Sequence, residues 1–201
     1  MARAGLTHDR VVEAAEVLAD EVGIAGLSFA ALADRLGVKV PSLYKHVASL
    51  DAVRQSISVR AKNDMADAIG AAAIGRSRGE AVRALSLAYR AWAGAHPGRY
   101  ETTLRAAIPG DPADVRAGSR AVEVIFSALA GYDLSREATI DATRMLRSTL
   151  HGFVALEAAG GFMLPLDVDA SFESILGALD RTFDGWDPAG REPGREPNAI
   201  V

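Results

Sequence analysis

Three groups of residues in the 201-residue chain have the types and spacing to do chemistry. The first is Tyr44-Lys45-His46, with Lys39, Val40, Pro41 and Ser42 just before it and Ser28 further upstream. Hydroxyl, ammonium and imidazole groups on one short stretch can serve phosphate oxygens without demanding a given base. An isolated Tyr-x-His is, on its own, an amphipathic piece of a core helix. The second group crowds Tyr89, Trp92, His96 and Tyr100 together in a chain with only 6% aromatics. With Phe126, Arg147 and His151 these supply the apolar bulk and the few polar anchors of a small-molecule pocket. Aromatics at helical spacing serve equally as core. Arg144, Arg147 and His151 fall at i, i+3 and i+7, one face of a helix, where Arg147 and His151 can hold a carboxylate or pair with Glu157 or a backbone carbonyl. The third group, Gly75-Arg-Ser77-Arg-Gly79, fits a G-x-S-x-G nucleophile pattern, but that elbow follows a strand and the Ala-rich residues 66–74 read as helix.

Motifs for other chemistries do not occur. There is no His-Glu-x-x-His, Walker loop, dinucleotide glycine motif or calcium loop, so no catalytic residue and no enzyme activity is expected. Cysteine is absent, which removes thiolate zinc sites, iron–sulfur clusters, disulfides and a cysteine nucleophile. No cofactor or metal is expected, and Asp167 and Asp169 read as helix-capping carboxylates. The opening residues have no apolar signal region and no apolar run approaches a membrane span, so a cytoplasmic protein without membrane contact is expected.

Net charge argues mildly against a nucleic-acid partner: 22 basic and 26 acidic residues leave −4. Placement changes the picture. Residues 35–60 hold Arg35, Lys39, Lys45, Arg54 and Arg60 against Asp51 alone, a local excess of +4 around the first group of candidate residues.

The elements that must position these residues are helical throughout. Thr7 caps a run with Val11, Ala15, Leu18 and Val22 at helical spacing, stopped by Gly23. Ser28 caps a second, short helix with Phe29, Leu32, Ala33 and Leu36 inward and Gly37 at its end. Pro41 suits the first turn of a third helix running through Val47. Two short helices joined so tightly form a helix-turn-helix. A long fourth helix starts near Ser49 or Asp51 and fades before Gly75–Gly79, a polar break. Five more helical patterns follow: Glu80–Ala95, Arg99–Ala107, Ala113–Ala130, Ser135–Ala159 and Asp169–Phe183. The Pro/Gly/Arg/Glu-rich residues from Asp187 onward cannot build a core.

The order of Thr7-capped helix, Gly23, Ser28-Phe29-Ala30-Ala31-Leu32-Ala33, Leu36-Gly37-Val38 and Pro41-Ser42-Leu43-Tyr44-Lys45-His46-Val47 resembles the tetracycline-repressor (TetR) family of transcriptional regulators. Leu-Gly-Val followed by Leu-Tyr-x-His-Val is the most specific part, and residues 7–60 carry the detail. Tyr89-Arg-Ala-Trp92 through His96-Pro97, with Leu150-His151-Gly152-Phe153, resembles a WHG-type C-terminal domain found in part of that family. Two departures stand out. The family commonly has a lysine where this chain has Leu50, with Arg54 one turn on as a substitute, and Lys39 replaces a small capping hydroxyl.

The resemblance implies an all-α fold: a helix-turn-helix DNA-binding domain (residues 1–50), a connecting helix (51–75), a ligand-binding and dimerisation bundle (76–186) and a flexible tail (187–201). It implies a repressor released from a palindromic double-stranded operator by a small molecule. Ser28, Lys39, Val40, Pro41, Ser42, Tyr44, Lys45 and His46 would contact DNA, and Tyr89, Trp92, His96, Tyr100, Phe126, Arg147 and His151 the effector. A homodimer is expected through the last two helices, with Leu146, Leu150, Phe153, Leu156, Phe172, Ile175, Leu179 and Phe183 as its seam; a monomer keeps these in its own core. The other reading, from Leu50 and the acidic total, is a helical small-molecule carrier or enzyme with a vestigial DNA-binding unit.

Overall fold

The computed structural model describes residues 5–186; the expected tail, 187–201, lies outside them. Among the described residues every regular element is a helix, as the sequence implies. α1 (His8–Gly26) starts where the Thr7 hydroxyl accepts the Arg10 N–H and buries Val11, Val12, Ala15 and Leu18. Its regular part ends at Gly23, whose φ of 75° suits a residue without Cβ. α2 (Phe29–Leu36) is capped by Ser28, which accepts the Ala31 N–H at 3.2 Å. It closes on left-handed Gly37, with Gly37 N–H donating to Asp34 O and Val38 N–H to Ala33 O.

α3 (Val40–Leu43) is one turn long, shorter than the sequence pattern predicts. Lys39 offers no side-chain cap, and the chain tightens immediately: His46 N–H bonds Leu43 O, an i→i+3 contact, so Tyr44–His46 form turns rather than helix. Leu27, Leu32, Leu43, Val47, Val53 and Ile57 close over the buried face of α1 as one apolar core.

α4 (Leu50–Ala73), capped by Ser49, is 24 residues long and belongs to both halves of the molecule. Val53 and Ile57 complete the first core, while Ala61, Met65 and Ile69 enter a second. The column is one residue every four, so a single helix carries both without a break. The expected division at residue 50 therefore runs through a helix whose first two turns pack with the N-terminal unit.

The second core is built by α5 (Arg78–Ala95), α6 (Pro97–Thr103), α7 (Pro112–Leu129), α8 (Arg136–Ala158) and α9 (Val168–Asp184). Gly79 sits inside the first turn of α5, so the polar break is shorter than expected and Ser77 lies in a helix-to-helix connection, not behind a strand. α6 starts two residues before its expected position because Pro97 occupies its first turn. Asp167 caps α9 by accepting the Ala170 N–H at 2.7 Å. No helix of the described residues is long and apolar enough to cross a membrane.

Most of the seam expected on the last two helices is taken up within the chain. Leu146, Leu150, Phe153, Phe172, Leu179 and Phe183 are buried within the chain's own core. Ile175 is half-buried, and only Leu156 of the eight is openly exposed, at 52%. The inward stripe of α8 and α9 is satisfied by α5, and Phe153 and Phe172 meet each other at 4.6 Å between ring centroids under the Arg90 guanidinium. A stripe of helical period does not distinguish packing within a chain from packing between chains.

Candidate DNA-binding and effector sites

α2, the turn and α3 present the first group of candidate residues on one surface. Leu43 and Val47 point into the core and hold the segment, leaving Pro41, Tyr44 and Lys45 exposed and Val40, Ser42 and His46 half-exposed. The Tyr44 ring meets Phe29 of α2 edge-on at 5.0 Å, so its position is set by the preceding helix. Ser28 spends its hydroxyl oxygen on the α2 cap and keeps its O–H available as a donor.

The +4 excess is smaller in space than in sequence. Arg35 makes a two-pronged pair with Glu21, at 2.5 and 2.7 Å. Arg60 lies over Asp9, Glu13 and Glu16 of α1, its Nε 3.0 Å from the Glu16 carboxylate. Arg54 pairs with Asp51 and donates to Leu27 O, and Leu50 packs against the first core. Lys39 and Lys45 remain as cations without a polar partner among the described residues, and both flank α3. The useful charge is thus two ammonium groups at the candidate surface rather than a diffuse patch.

The second group divides between two places. Trp92 and His96 stand at a junction with α1: their rings meet at 5.0 Å, Arg99 lies over the indole, and Asp20 of α1 accepts from the Arg99 backbone N–H at 2.8 Å and its Nε at 2.7 Å. His96 Nδ1 is 3.4 Å from Asp20. Gly98 allows this contact, since a Cβ there would sit 1.9 Å from Ala19 O. Tyr100 links Tyr89, at 2.8 Å between hydroxyls, to His151 Nδ1, at 2.7 Å. Burial chiefly, then the Tyr89 hydrogen bond, pushes the Tyr100 hydroxyl above the usual phenol range, so it stays a neutral link in this chain. Phe126 is 38% exposed on the outside of α7.

A cavity of about 400 Å³ does open in the C-terminal half, between α4, α5, α7 and α8 and the loop after α6. Of the seven expected residues only Tyr89 and Arg147 line it; Trp92, His96, Tyr100, Phe126 and His151 do not. Arg144, expected on the same face as Arg147, instead pairs with Asp141 and is 75% exposed. Met65, Ile69, Leu85, Ile125 and Leu150 form apolar walls. The polar lining missed in the sequence is Lys62, Thr103 and Arg105. Only Lys62 left a signal: a lysine adjoining the inward column of α4, one turn from Met65.

Lys62 is held by the most buried charge pair described. Its Nζ is 2.6 Å from Asp114 Oδ1, and the two side chains are 5% and 0% exposed. Arg105 reaches the other oxygen at 3.1 Å, as does the Ile108 backbone N–H at 2.9 Å. Burial alone would raise the Asp114 carboxyl; the hydrogen bonds from Lys62 and Ile108 and the Lys62 charge outweigh it and hold the group well below the usual carboxylate range. Arg105 also donates to Gln55 of α4 at 2.5 Å, and Gln55 donates to Asp111 at 3.2 Å. A continuous polar chain therefore runs from the cavity wall to the first half of α4.

Comparison with known proteins agrees with this architecture at both ends. Residues 11–53 match the family model "Bacterial regulatory proteins, tetR family", and residues 82–179 match "Tetracyclin repressor-like, C-terminal domain". The chain is 37% identical over 174 residues to the HTH-type transcriptional regulator Rv0681 of Mycobacterium tuberculosis, covering 86% of this chain and 79% of the relative. It is 35% identical over 187 residues to the HTH-type regulator YobS of Bacillus subtilis, covering 90% and 92%. The crystal structure of the regulatory protein SCO4313 superposes with a TM-score of 0.69 at 26% identity over 86% of this chain and 94% of that one. TetR from Acinetobacter baumannii AYE shares the fold, with a TM-score of 0.66 at 19% identity over 90% and 97%. With two relatives above 30% identity matched over most of their length, and a helix-turn-helix joined by one long helix to a helical bundle, the chain belongs to the TetR family of DNA-binding transcriptional regulators.

Proposed function

We propose that this regulator is a cytoplasmic homodimeric repressor that leaves a palindromic operator when a small molecule enters the α4/α5/α7/α8 cavity. The observation that carries the reading is the chain Lys62–Asp114–Arg105–Gln55, which ties the cavity wall to the half of α4 that packs with the helix-turn-helix. A ligand that draws on Lys62 or Arg105 changes what holds α4. The α1–α6 contact at Gly98 and Asp20 gives a second connection. Two α3 segments must sit about 34–36 Å apart to enter successive major grooves, so a ligand preferring another spacing weakens DNA binding by its differential affinity.

In this reading residues 1–50 form the DNA-binding unit, 51–75 the connection and 76–186 the effector and dimerisation unit. Lys39, Val40, Pro41 and Ser42 face the groove, and Ser28, Tyr44, Lys45 and His46 serve phosphates. The partner surface is the outer stripe of α8 rather than its buried one. Met145, Gly152 and Leu156 lie on that stripe, which leads into the exposed Phe162–Leu166 loop. A two-fold axis there would bury what the single chain leaves open.

Titrating fragments of the DNA upstream of its own gene between about 50 and 200 mM salt tests the DNA reading. Affinity should fall steeply with salt, and Lys45→Ala should reduce the logarithmic slope by about one phosphate contact. Absence of binding at low salt, with Tyr44→Phe and Lys45→Ala indistinguishable from wild type, would sink it.

A further inference from the structure

The charge balance of the cavity names the class of molecule it takes, an inference that rests on the effector reading. Three cations, Lys62, Arg105 and Arg147, come from three different parts of the fold to line one space, and no aspartate or glutamate lines it. Asp114 stands against Lys62 and Arg105, one carboxylate for two cations. Arg147, at the cavity's solvent-exposed rim, has no hydrogen-bond or ion-pair partner among the described residues, although Tyr89 and Tyr100 feel its charge. The rest of the lining is largely aliphatic or small: Ala117, Gly118 and Ala121 of α7 leave the room, and Met65, Leu85 and Leu150 supply apolar contact.

Each part of this arrangement selects against other ligands. A cation entering the cavity meets only like charge. A neutral apolar molecule fills the walls but gains nothing from the spare guanidinium. A highly charged, bulky polar ion cannot satisfy the aliphatic walls. Arginine's planar fork matches a carboxylate in a two-pronged geometry, and a charge-assisted hydrogen bond is roughly twice as strong as a neutral one. The geometry points to an amphipathic organic anion, an aliphatic or aryl-aliphatic body carrying one carboxylate, as the occupant of this cavity. Its carboxylate takes Arg147 and competes with Asp114 for Arg105, and its body lies against Met65, Leu85 and Leu150.

The test is calorimetry on the full chain with two acids and their neutral analogues: decanoate against decan-1-ol, and 4-phenylbutyrate against 4-phenylbutan-1-ol. At least one acid should bind about tenfold or more tightly than its alcohol, the scale of a charge-assisted bond to a spare cation. Arg147→Gln should narrow that gap, whereas Arg144→Gln, exposed and paired with Asp141 outside the cavity, should leave it as it is. Acids that bind no better than their alcohols, acids that do not bind at all, or a gap indifferent to Arg147→Gln would overturn the inference. DNA affinity of the ligand-free protein is measured alongside. Operator binding without acid preference removes this inference and leaves the regulator reading intact, and acid preference without DNA binding does the reverse.

Discussion

The two cores of this molecule keep their polar chemistry in opposite places. The core around Leu32, Leu43 and Ile57 is built of apolar side chains, and the polar residues expected to meet DNA lie outside it, while Val40 packs against it. The core around Leu85, Leu150 and Phe172 has a cavity beside it, with a buried ammonium and a fully buried carboxylate at the cavity's edge. On the proposed reading, the first unit is a mount whose surface does the recognising. The second has charge stored where water is scarce, and a guest that alters the pairing there acts on a strong interaction.

Breaking Asp114 should produce the largest effect. Asp114→Ala strands Lys62 without its buried partner, and a loss of about 3–5 kcal/mol is expected in urea unfolding. Lys62→Met together with Asp114→Leu should recover most of it, because neither charge is then left alone. A stability loss in the double variant as large as in the single one would mean that the pair is not where the cost lies. The same pair sets an acid limit. Its depressed carboxyl contributes stability that is complete above the unfolded value, roughly pH 4, and is lost as pH falls toward the low folded value. Unfolding followed from pH 6 to pH 2 should show wild type losing stability below about pH 4, with the double variant flatter over that window.

The junction between the cores comes next. Gly98→Ala drives a methyl into Ala19 O, and overpacking of this kind costs about 1–3 kcal/mol. Scanning calorimetry should show the single unfolding transition broaden or split as the α1–α6 contact yields. A transition as sharp as wild type would show that α4 alone couples the two units. The smallest effect belongs to the surface unit: Ser28→Ala removes the α2 cap and should cost about 1 kcal/mol by chemical denaturation, with α2 frayed at its start.

Punctuation made the N-terminal unit readable. Thr7, Ser28, Ser49 and Gly37 act on neighbours within five residues, and each does in space what its position in sequence implies. α3 was overestimated because Leu43 and Val47 fit a helical period that a tightened turn satisfies as well. The second unit was harder for a physical reason. Lys62 and Arg105 are 43 positions apart and both come to Asp114, so no local spacing announces them. Trp92 and His96 looked like a pocket because aromatics cluster in both cases; here they brace α6 against α1. The inward faces of α8 and α9 read equally as an intersubunit seam, since apolar periodicity reports burial and not what does the burying.

The brevity of α3 has a consequence for how such a protein can diversify. Only Leu43 and Val47 of residues 40–47 are buried, and the Tyr44 ring is steadied from α2. Replacing Pro41 or Ser42 therefore changes the outward relief of the segment while leaving the core volume unaltered, whereas Val40 packs against the first core. Exchange at Pro41 and Ser42 carries little risk to foldedness, so if these residues face the groove as proposed, a duplicated copy can acquire a new address before it acquires a new scaffold.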